Sequence, residues 1–163
     1  MDLPLRPFCS LVVLFFLATH SGCRAAESIT ALPAAELQTA PLSITVAGQT
    51  LLLETELWRD FQPSSPPNGR PLIAFLRVRP ADGGTLTAFF QIDALWIANG
   101  AETWATAVEE GHLTPGSASY EGFARDGPKW NPGVHVDVVV RIREPSGATQ
   151  LLRAASQLIQ RSA

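Results

Sequence analysis

The chain has 163 residues and a formal net charge of −3, with 12 lysine and arginine residues against 15 acidic ones. A weakly acidic chain offers no electrostatic footprint for nucleic acid, so we exclude that class of partner. Its only cysteines are Cys9 and Cys23. The residues after Cys23 can therefore form neither an internal disulfide nor a thiolate metal site.

The N-terminus carries an apolar run. Residues 11–18 read Leu-Val-Val-Leu-Phe-Phe-Leu-Ala, with Arg6 before them and small residues after them. This run is too short to cross a bilayer, which takes about 20 residues, but it has the length of a signal-peptide core. Residues 1–22 are therefore predicted to be a secretion signal.

A Ser-Gly-Cys motif ending at Cys23 follows that run. It resembles the lipobox of bacterial lipoproteins, although His20 stands three positions before the cysteine, where that family usually has an aliphatic residue. The resemblance implies that Cys23 is the lipidated first residue of a periplasmic or outer-membrane-anchored protein. Cleavage after Ala25 or Ala26 is the alternative, and it would release a soluble secreted chain.

Residues 23–41 are rich in alanine, contain Pro33 and Pro41, and show no sustained hydrophobic period. They are predicted to be a flexible tether with a short helix at residues 34–38. A single β-sandwich domain is expected to follow over residues 42–163.

Strands are predicted where apolar residues recur at every second position. The first half of the domain has such segments at residues 42–46, 50–58, 71–79 and 85–92. A proline-rich loop at residues 62–70 separates the second from the third. Asn99 and Gly100 then provide the strongest hairpin signal, between arms at residues 94–98 and 101–108.

The second half of the domain begins with residues 109–131, the longest stretch without a hydrophobic period. It is predicted to be a long functional or mobile loop. The central strand follows at residues 134–143, where valines and an isoleucine alternate with His135, Asp137 and two arginines. A turn leads into the last strand at residues 148–154.

Seven or eight short strands without a long amphipathic helix predict an all-β domain, either an antiparallel β-sandwich or a small barrel. Residues 42–155 are similar in length and strand rhythm to the immunoglobulin-like β-sandwich domains of exported bacterial proteins. That resemblance implies a seven- or eight-stranded antiparallel sandwich. The chain lacks the cysteine pair of antibody-type domains, and Tyr120 is not placed to form a tyrosine corner. A transthyretin-like or other Greek-key sandwich is therefore the alternative.

Aromatic residues and arginine meet at Trp58, Arg59 and Phe61, just before the proline-rich loop. These residue types are enriched in interface hot spots, so the group is a candidate partner-binding surface. In the alternative interpretation the aromatics plug the end of the sandwich, and Arg59 and Asp60 bind each other or nearby backbone.

Trp130, on the turn at residues 127–133, is a further candidate for stacking on a sugar ring or a partner. The alternative is a lid on the core. If strand directions strictly alternate, this turn and the Trp58 loop lie at opposite ends of the domain.

His135 and Asp137 are two residues apart on one strand and project from the same face. Together with His112 they are candidate nitrogen and oxygen ligands for a metal. The alternative is a solvated polar face on which Asp137 pairs with an arginine across the sheet.

The chain has no Gly-x-Ser-x-Gly elbow, no His-Glu-x-x-His motif and no phosphate-binding glycine loop. The sequence therefore predicts a non-enzymatic cell-envelope binding or structural module without a cofactor. An envelope protein or a glycan is its expected partner, and its N-terminal lipid is its only expected contact with the membrane. A periplasmic metal-binding or carrier protein is one alternative. A small envelope hydrolase with acids from distant loops is another.

Overall fold

The computed structural model describes residues 29–112 and 116–162. The predicted signal segment, Cys23 and the alternative cleavage positions lie outside these residues. In chain order the described elements are α1 (Ala34–Thr39), β1 (Ser43–Val46), β2 (Gln49–Asp60), β3 (Leu72–Pro80), β4 (Gln91–Asn99), β5 (Glu102–Thr106), β6 (Glu109–His112), β7 (Tyr120–Gly127), β8 (His135–Arg143) and β9 (Thr149–Ser162).

The strands form one mixed sheet in the order β5-β4-β8-β9-β2-β3-β7-β6, and β1 pairs with β2 beside this path. The predicted mostly-β fold is confirmed. The wholly antiparallel pairing is not observed, because the end of β9 runs parallel to β2, with Leu57 opposite Ile159.

Strand β9 joins the two halves of the sheet. Its first part pairs with β8 as far as Leu158, and its last residues pair with β2. The backbone bends at Ser156, which has a φ of 54°, and the Ser156 amide donates a hydrogen bond of 2.9 Å to Asp137 Oδ1. We call β4, β5 and β8 the β4–β8 half, and β2, β3, β6 and β7 the β2–β3 half.

The core lies between these two halves, so the sheet is curled over its own inward face. One apolar cluster contains fully buried side chains from both halves, among them Leu51, Leu57, Leu76, Leu95, Ile97, Val138 and Val140. These residues occupy alternate positions along their strands, as the sequence pattern predicts. Burial of such side chains is the dominant favourable term in folding.

The segment predicted as a strand at residues 85–92 enters the ladder only from Gln91. Its inward pattern is nevertheless present, since Leu86, Ala88 and Phe90 are buried. The Gln49 side chain takes the place of a neighbouring strand here. Its Nε2 donates to Thr85 O at 2.8 Å, and its Oε1 accepts from the Thr87 amide at 3.0 Å.

The prediction of a long loop at residues 109–131 is wrong, because this stretch contains β6 and β7. Glycines in these strands conceal the hydrophobic period. A Cβ on Gly122 would lie 2.6 Å from the Val108 side chain, and one on Gly127 would lie 2.7 Å from the Trp104 ring. Each glycine makes room for a larger side chain on a neighbouring segment.

The predicted short helix is confirmed as α1. Its Leu37 packs with Trp96 and Val139 on the outward face of the β4–β8 half. Trp96 Nε1 donates to Thr30 O at 3.0 Å, and Arg153 Nε donates to the carbonyl of Ala40 at 3.1 Å. From residue 29 onward, the segment assigned to the tether is thus docked on the sheet. No helix of the described residues is long and apolar enough to cross a membrane.

Candidate functional site

The outward face of the β2–β3 half carries a row of large apolar side chains that are only half-buried. They are Trp58, Ile73, Phe75 and Phe123, and we call this surface the aromatic face. Trp58 lies opposite Ile73 across β2 and β3, and Phe75 lies opposite Phe123 across β3 and β7. The two phenyl ring centres are 5.0 Å apart. The helix α1 contacts β4, β8 and β9, so it does not cover this row.

Arginine side chains lie over the phenyl rings of the aromatic face. The Arg77 guanidinium is 5.1 Å from the centre of the Phe75 ring, and that of Arg125 is 5.0 Å from the centre of the Phe123 ring. Arg77 Nε also donates to Glu121 Oε1 at 3.0 Å. Cation–π and ion-pair contacts at exposed positions are each worth about 1 kcal/mol or less. The apolar row is therefore shielded only by charged side chains that are held weakly.

Two hollows lie side by side on the same face along β2. The first has a volume of about 220 Å³ and is lined by Glu54, Thr55, Glu56, Phe75 and Arg77. The second has a volume of about 270 Å³ and is lined by Glu56, Leu57, Trp58, Gln160, Arg161 and Ser162. They share Glu56. The first hollow combines the Phe75 ring with carboxylate and guanidinium groups, and the second combines the Trp58 ring with the Glu56 carboxylate and the Gln160 amide.

Arg59 lies next to the second hollow but points into the protein, with 2% of its surface exposed. Its Nε donates to Arg70 O at 2.9 Å, and its Nη1 donates at 3.1 Å to the carbonyls of Lys129 and Trp130. Its Nη2 donates to Asn68 O. Burial lowers the pKa of Arg59, but an arginine keeps its charge in proteins. Arg59 therefore binds nearby backbone, as the alternative to a partner-binding role predicted.

The contacts of Arg59 also correct the predicted placement of the two loops. The loop after β2 and the turn at residues 127–133 lie at the same end of the domain, since Arg59 bonds to both. The prediction of opposite ends is wrong because β7 was not counted as a strand. Strands β2 and β7 are both antiparallel to β3, so both end at this edge.

Phe61 and Trp130 pack at the same end. The Phe61 ring lies 4.9 Å from the Arg59 guanidinium and 4.2 Å from that of Arg161, and it occupies the space that a Cβ on Gly69 would need. Trp130 packs against the main core and donates from Nε1 to Glu102 Oε2 at 2.5 Å. Of the predicted partner-binding residues, only Trp58 lies on the aromatic face.

The predicted metal ligands are not brought together by neighbouring strands. His135 lies at the start of β8 opposite Leu158, whereas His112 lies in β6, which is not adjacent to β8. The His112 side chain lies outside the described part of the structure. Asp137 is 3.6 Å from Arg153 Nη1 across the sheet, the ion pair expected for a polar strand face. Among the described residues, no three His, Cys, Asp or Glu side chains are grouped to hold a metal.

A separate cleft of about 710 Å³ lies at the other end of β8, near the turn between β8 and β9. Phe90 and Tyr120 form part of its wall, with ring centres 5.7 Å apart, and Phe89 beside them is 59% exposed. Burial raises the pKa of Tyr120 despite a hydrogen bond with the Ile92 backbone. Its phenol is therefore neutral at physiological pH.

Asp93 lies at the edge of this cleft, where a bulge interrupts the pairing of β4 with β8. Its carboxylate accepts hydrogen bonds of 2.7 Å from both Arg141 Nε and Arg143 Nε. Burial acts to raise the pKa of Asp93, but the two arginines outweigh that effect and lower it. In the sequence, this bulge is marked by Asp93, the one acidic residue within the otherwise apolar interior of β4.

The sequence pattern alone does not mark the aromatic face as a site. Phe75 alternates with the inward residues of β3, so an apolar residue at an outward position was a visible signal. Phe123 lies in the stretch predicted as a loop, so its own strand, β7, was not recognised.

Comparisons of the chain with protein-family models, curated proteins and solved structures find no match.

Proposed function

We propose that this chain is a non-enzymatic binding module of the cell envelope, exported and lipid-anchored at Cys23, and that the aromatic face is its binding surface. One observation carries this proposal. The outward apolar side chains of the β4–β8 half are covered by the chain's own residues 29–41, whereas those of the β2–β3 half are half-exposed. Exposed apolar patches with aromatic and arginine residues are typical of interaction sites.

The position of the docked N-terminal segment supports the same assignment. Five residues lie between Cys23 and Ile29, so an extended chain joining the two would span at most about 21 Å. A lipid at Cys23 would hold the covered β4–β8 half toward the membrane. The aromatic face lies on the opposite side of the curled sheet, so it would be turned toward the rest of the envelope.

We also infer that the curled sheet is a Greek-key sandwich of the immunoglobulin-like kind. The single core between two halves of the sheet supports this assignment. The parallel pairing of β2 with β9 would then be a local variation on an otherwise antiparallel arrangement.

Co-sedimentation tests the binding function. Purified full-length protein is mixed in detergent with envelope fragments of its native host, so that the lipid cannot carry it into the pellet. We expect the wild type to sediment, and Trp58→Ala and Phe75→Ala each to weaken binding by about tenfold or more. Leu42→Ala is the control, because Leu42 is exposed and lies off the aromatic face. Equal sedimentation of all four proteins would contradict the proposal.

A second candidate function is carriage of a small amphipathic molecule, supported by the cleft beside Phe89. Clefts of about 300–1,000 Å³ with apolar walls and a few polar groups are typical ligand sites. Native mass spectrometry of the freshly isolated protein tests this function. A bound compound of a few hundred daltons that is lost in Phe89→Ala supports it, and a protein of bare mass from its native host counts against it.

A further inference from the structure

We infer that the aromatic face binds a neutral oligosaccharide, with consecutive parts of the sugar chain lying in the two hollows along β2. This inference rests on the proposed function, because it names the ligand of the same surface. It is carried by the strand pairing beneath the hollows, the hydrogen-bonding groups that line them, and their ion pairs.

The strand pairing argues against an extended peptide as the ligand. Strand β2 is bordered by β3 on one side and by β1 and β9 on the other, and β3 is bordered by β2 and β7. Peptides that bind sheets in an extended form usually pair with the unpaired backbone of an edge strand. The hollows lie over interior strands, so a ligand there is recognised by side chains alone.

The lining groups of each hollow suit a hydroxyl-rich ring. The Glu56 carboxylate only accepts hydrogen bonds, the Arg77 guanidinium only donates them, and the Gln160 amide does both. A hydroxyl group both donates and accepts, so the edge of a sugar can satisfy both kinds of group at once. The C–H face of the same sugar can pack on Trp58, or on the part of the Phe75 ring that Arg77 does not cover.

The ion pairs of the hollows favour a neutral ligand. Their charged side chains on this face are Glu54, Glu56 and Arg77, whereas the Arg161 guanidinium is turned toward the Phe61 ring. Two of the three are held by neighbours, since Glu54 accepts from Arg79 at 2.5 Å and Arg77 donates to Glu121. A charged ligand would have to displace these pairs, whereas a neutral one can bond to their outer edges.

The spacing of the aromatic rings sets the length of the ligand. Trp58 lies opposite Ile73, two positions from Phe75 on β3, so Trp58 and Phe75 are diagonal neighbours whose backbones are about 7–8 Å apart. The hollows, of about 220 and 270 Å³, are each smaller than the roughly 300–1,000 Å³ of a pocket for a drug-sized ligand. A short linear oligosaccharide therefore spans both hollows, and a single monosaccharide fills only one of them.

Titration with defined sugars tests this inference. The probes are neutral linear tetrasaccharides of glucose, galactose, mannose or N-acetylglucosamine, with a uronic acid tetrasaccharide and an uncharged octapeptide for comparison. We expect at least one neutral tetrasaccharide to bind full-length protein by calorimetry and to compete with envelope fragments. Its Kd should change less than about twofold between roughly 50 and 500 mM NaCl, because screening affects charged ligands most.

Variants locate the binding. Trp58→Ala and Phe75→Ala should each weaken tetrasaccharide binding by about tenfold or more, and Leu42→Ala should leave it unchanged. Glu56→Gln keeps the shape of the side chain but weakens an acceptor shared by both hollows. It should reduce affinity several-fold without shifting the thermal unfolding midpoint, which separates loss of contact from loss of fold.

The outcomes separate this inference from the proposed function. If envelope binding depends on Trp58 but no neutral tetrasaccharide binds or competes, the sugar inference is overturned and the binding surface stands. Binding of the octapeptide but of no sugar also overturns the inference. So does sugar binding of unchanged affinity in Trp58→Ala, Phe75→Ala and Glu56→Gln. If neither envelope fragments nor sugars bind the wild type, both proposals fail.

Discussion

The two halves of the sheet differ in how far their outward apolar side chains are buried. On the β4–β8 half, Trp96 and Val139 are buried beneath Leu37 of α1. On the β2–β3 half, Trp58 and Phe75 are half-exposed, and α1 does not cover them. An apolar residue at an outward strand position therefore has two explanations. It marks either the docking place of a segment of the same chain or a surface left open for another molecule.

The largest effect is expected from removing the anchor of the covered half. Leu37 is 0% exposed, so Leu37→Ala should lower the free energy of unfolding by about 2–4 kcal/mol through lost burial and a cavity. Urea denaturation measures this change. The neighbouring Gln38 is exposed, and Gln38→Ala should cost less than about 0.5 kcal/mol. Equal small losses in both variants would mean that the segment does not stabilise the sheet.

A smaller effect is expected from the ion pairs of the two halves. Asp93 is held by two arginines and its side chain is 24% exposed, whereas Glu121 pairs with Arg77 and is 49% exposed. Asp93→Asn should cost about 1–2 kcal/mol at neutral pH. Glu121→Gln should cost less than about 0.5 kcal/mol, because solvent screens its pair. Chemical denaturation of the two variants side by side tests the contrast, and similar losses would contradict it.

The stability that Asp93 contributes is expected to depend on pH. The pKa of Asp93 is lowered in the folded protein, so the folded state binds its proton less tightly than the unfolded state does. Its contribution to stability is complete above the unfolded pKa of about 3.9. It is lost as the pH falls through the lower folded pKa. The difference in unfolding free energy between wild type and Asp93→Asn should therefore shrink under acid. A difference that stays constant or grows on acidification would contradict this assignment.

A modest effect on stability is expected on the aromatic face. Phe123→Ala removes a half-buried ring that is already partly in contact with solvent. It should cost about 1 kcal/mol, below the range of about 3–5 kcal/mol for fully buried phenylalanines. Envelope binding should fall in the same variant. A loss as large as that in Leu37→Ala would show that the aromatic row is structural core.

The parts of the fold that were predictable are those with a visible two-residue period. Strands β2, β3 and β8 alternate clearly, so their positions and inward residues follow from the sequence. Strand β7 does not, because Gly122 and Gly127 stand where neighbouring side chains need space. The missing strand also led to the wrong prediction for the ends of the two loops.

The candidate site was only partly predictable for the same reason. Trp58 was identified from its local composition, but its neighbours on the face come from β3 and β7. Their proximity depends on strand order, which the sequence pattern does not reveal. Arg59 and Phe61 have the composition of a contact surface, yet they form the packed end of the domain. Residue type alone did not distinguish buried residues that pack the end of the domain from exposed residues that could contact a partner.

The difference between the halves is most directly tested by fluorine NMR of protein labelled with fluorotryptophan. The chain has four tryptophans, of which Trp58 reports on the aromatic face and Trp96, 2% exposed, reports on the covered face. We expect a soluble paramagnetic agent to broaden the Trp58 signal and leave that of Trp96 sharp, and the bound tetrasaccharide to shift Trp58 alone. Equal broadening of both signals, or a ligand shift confined to Trp96, would contradict the account.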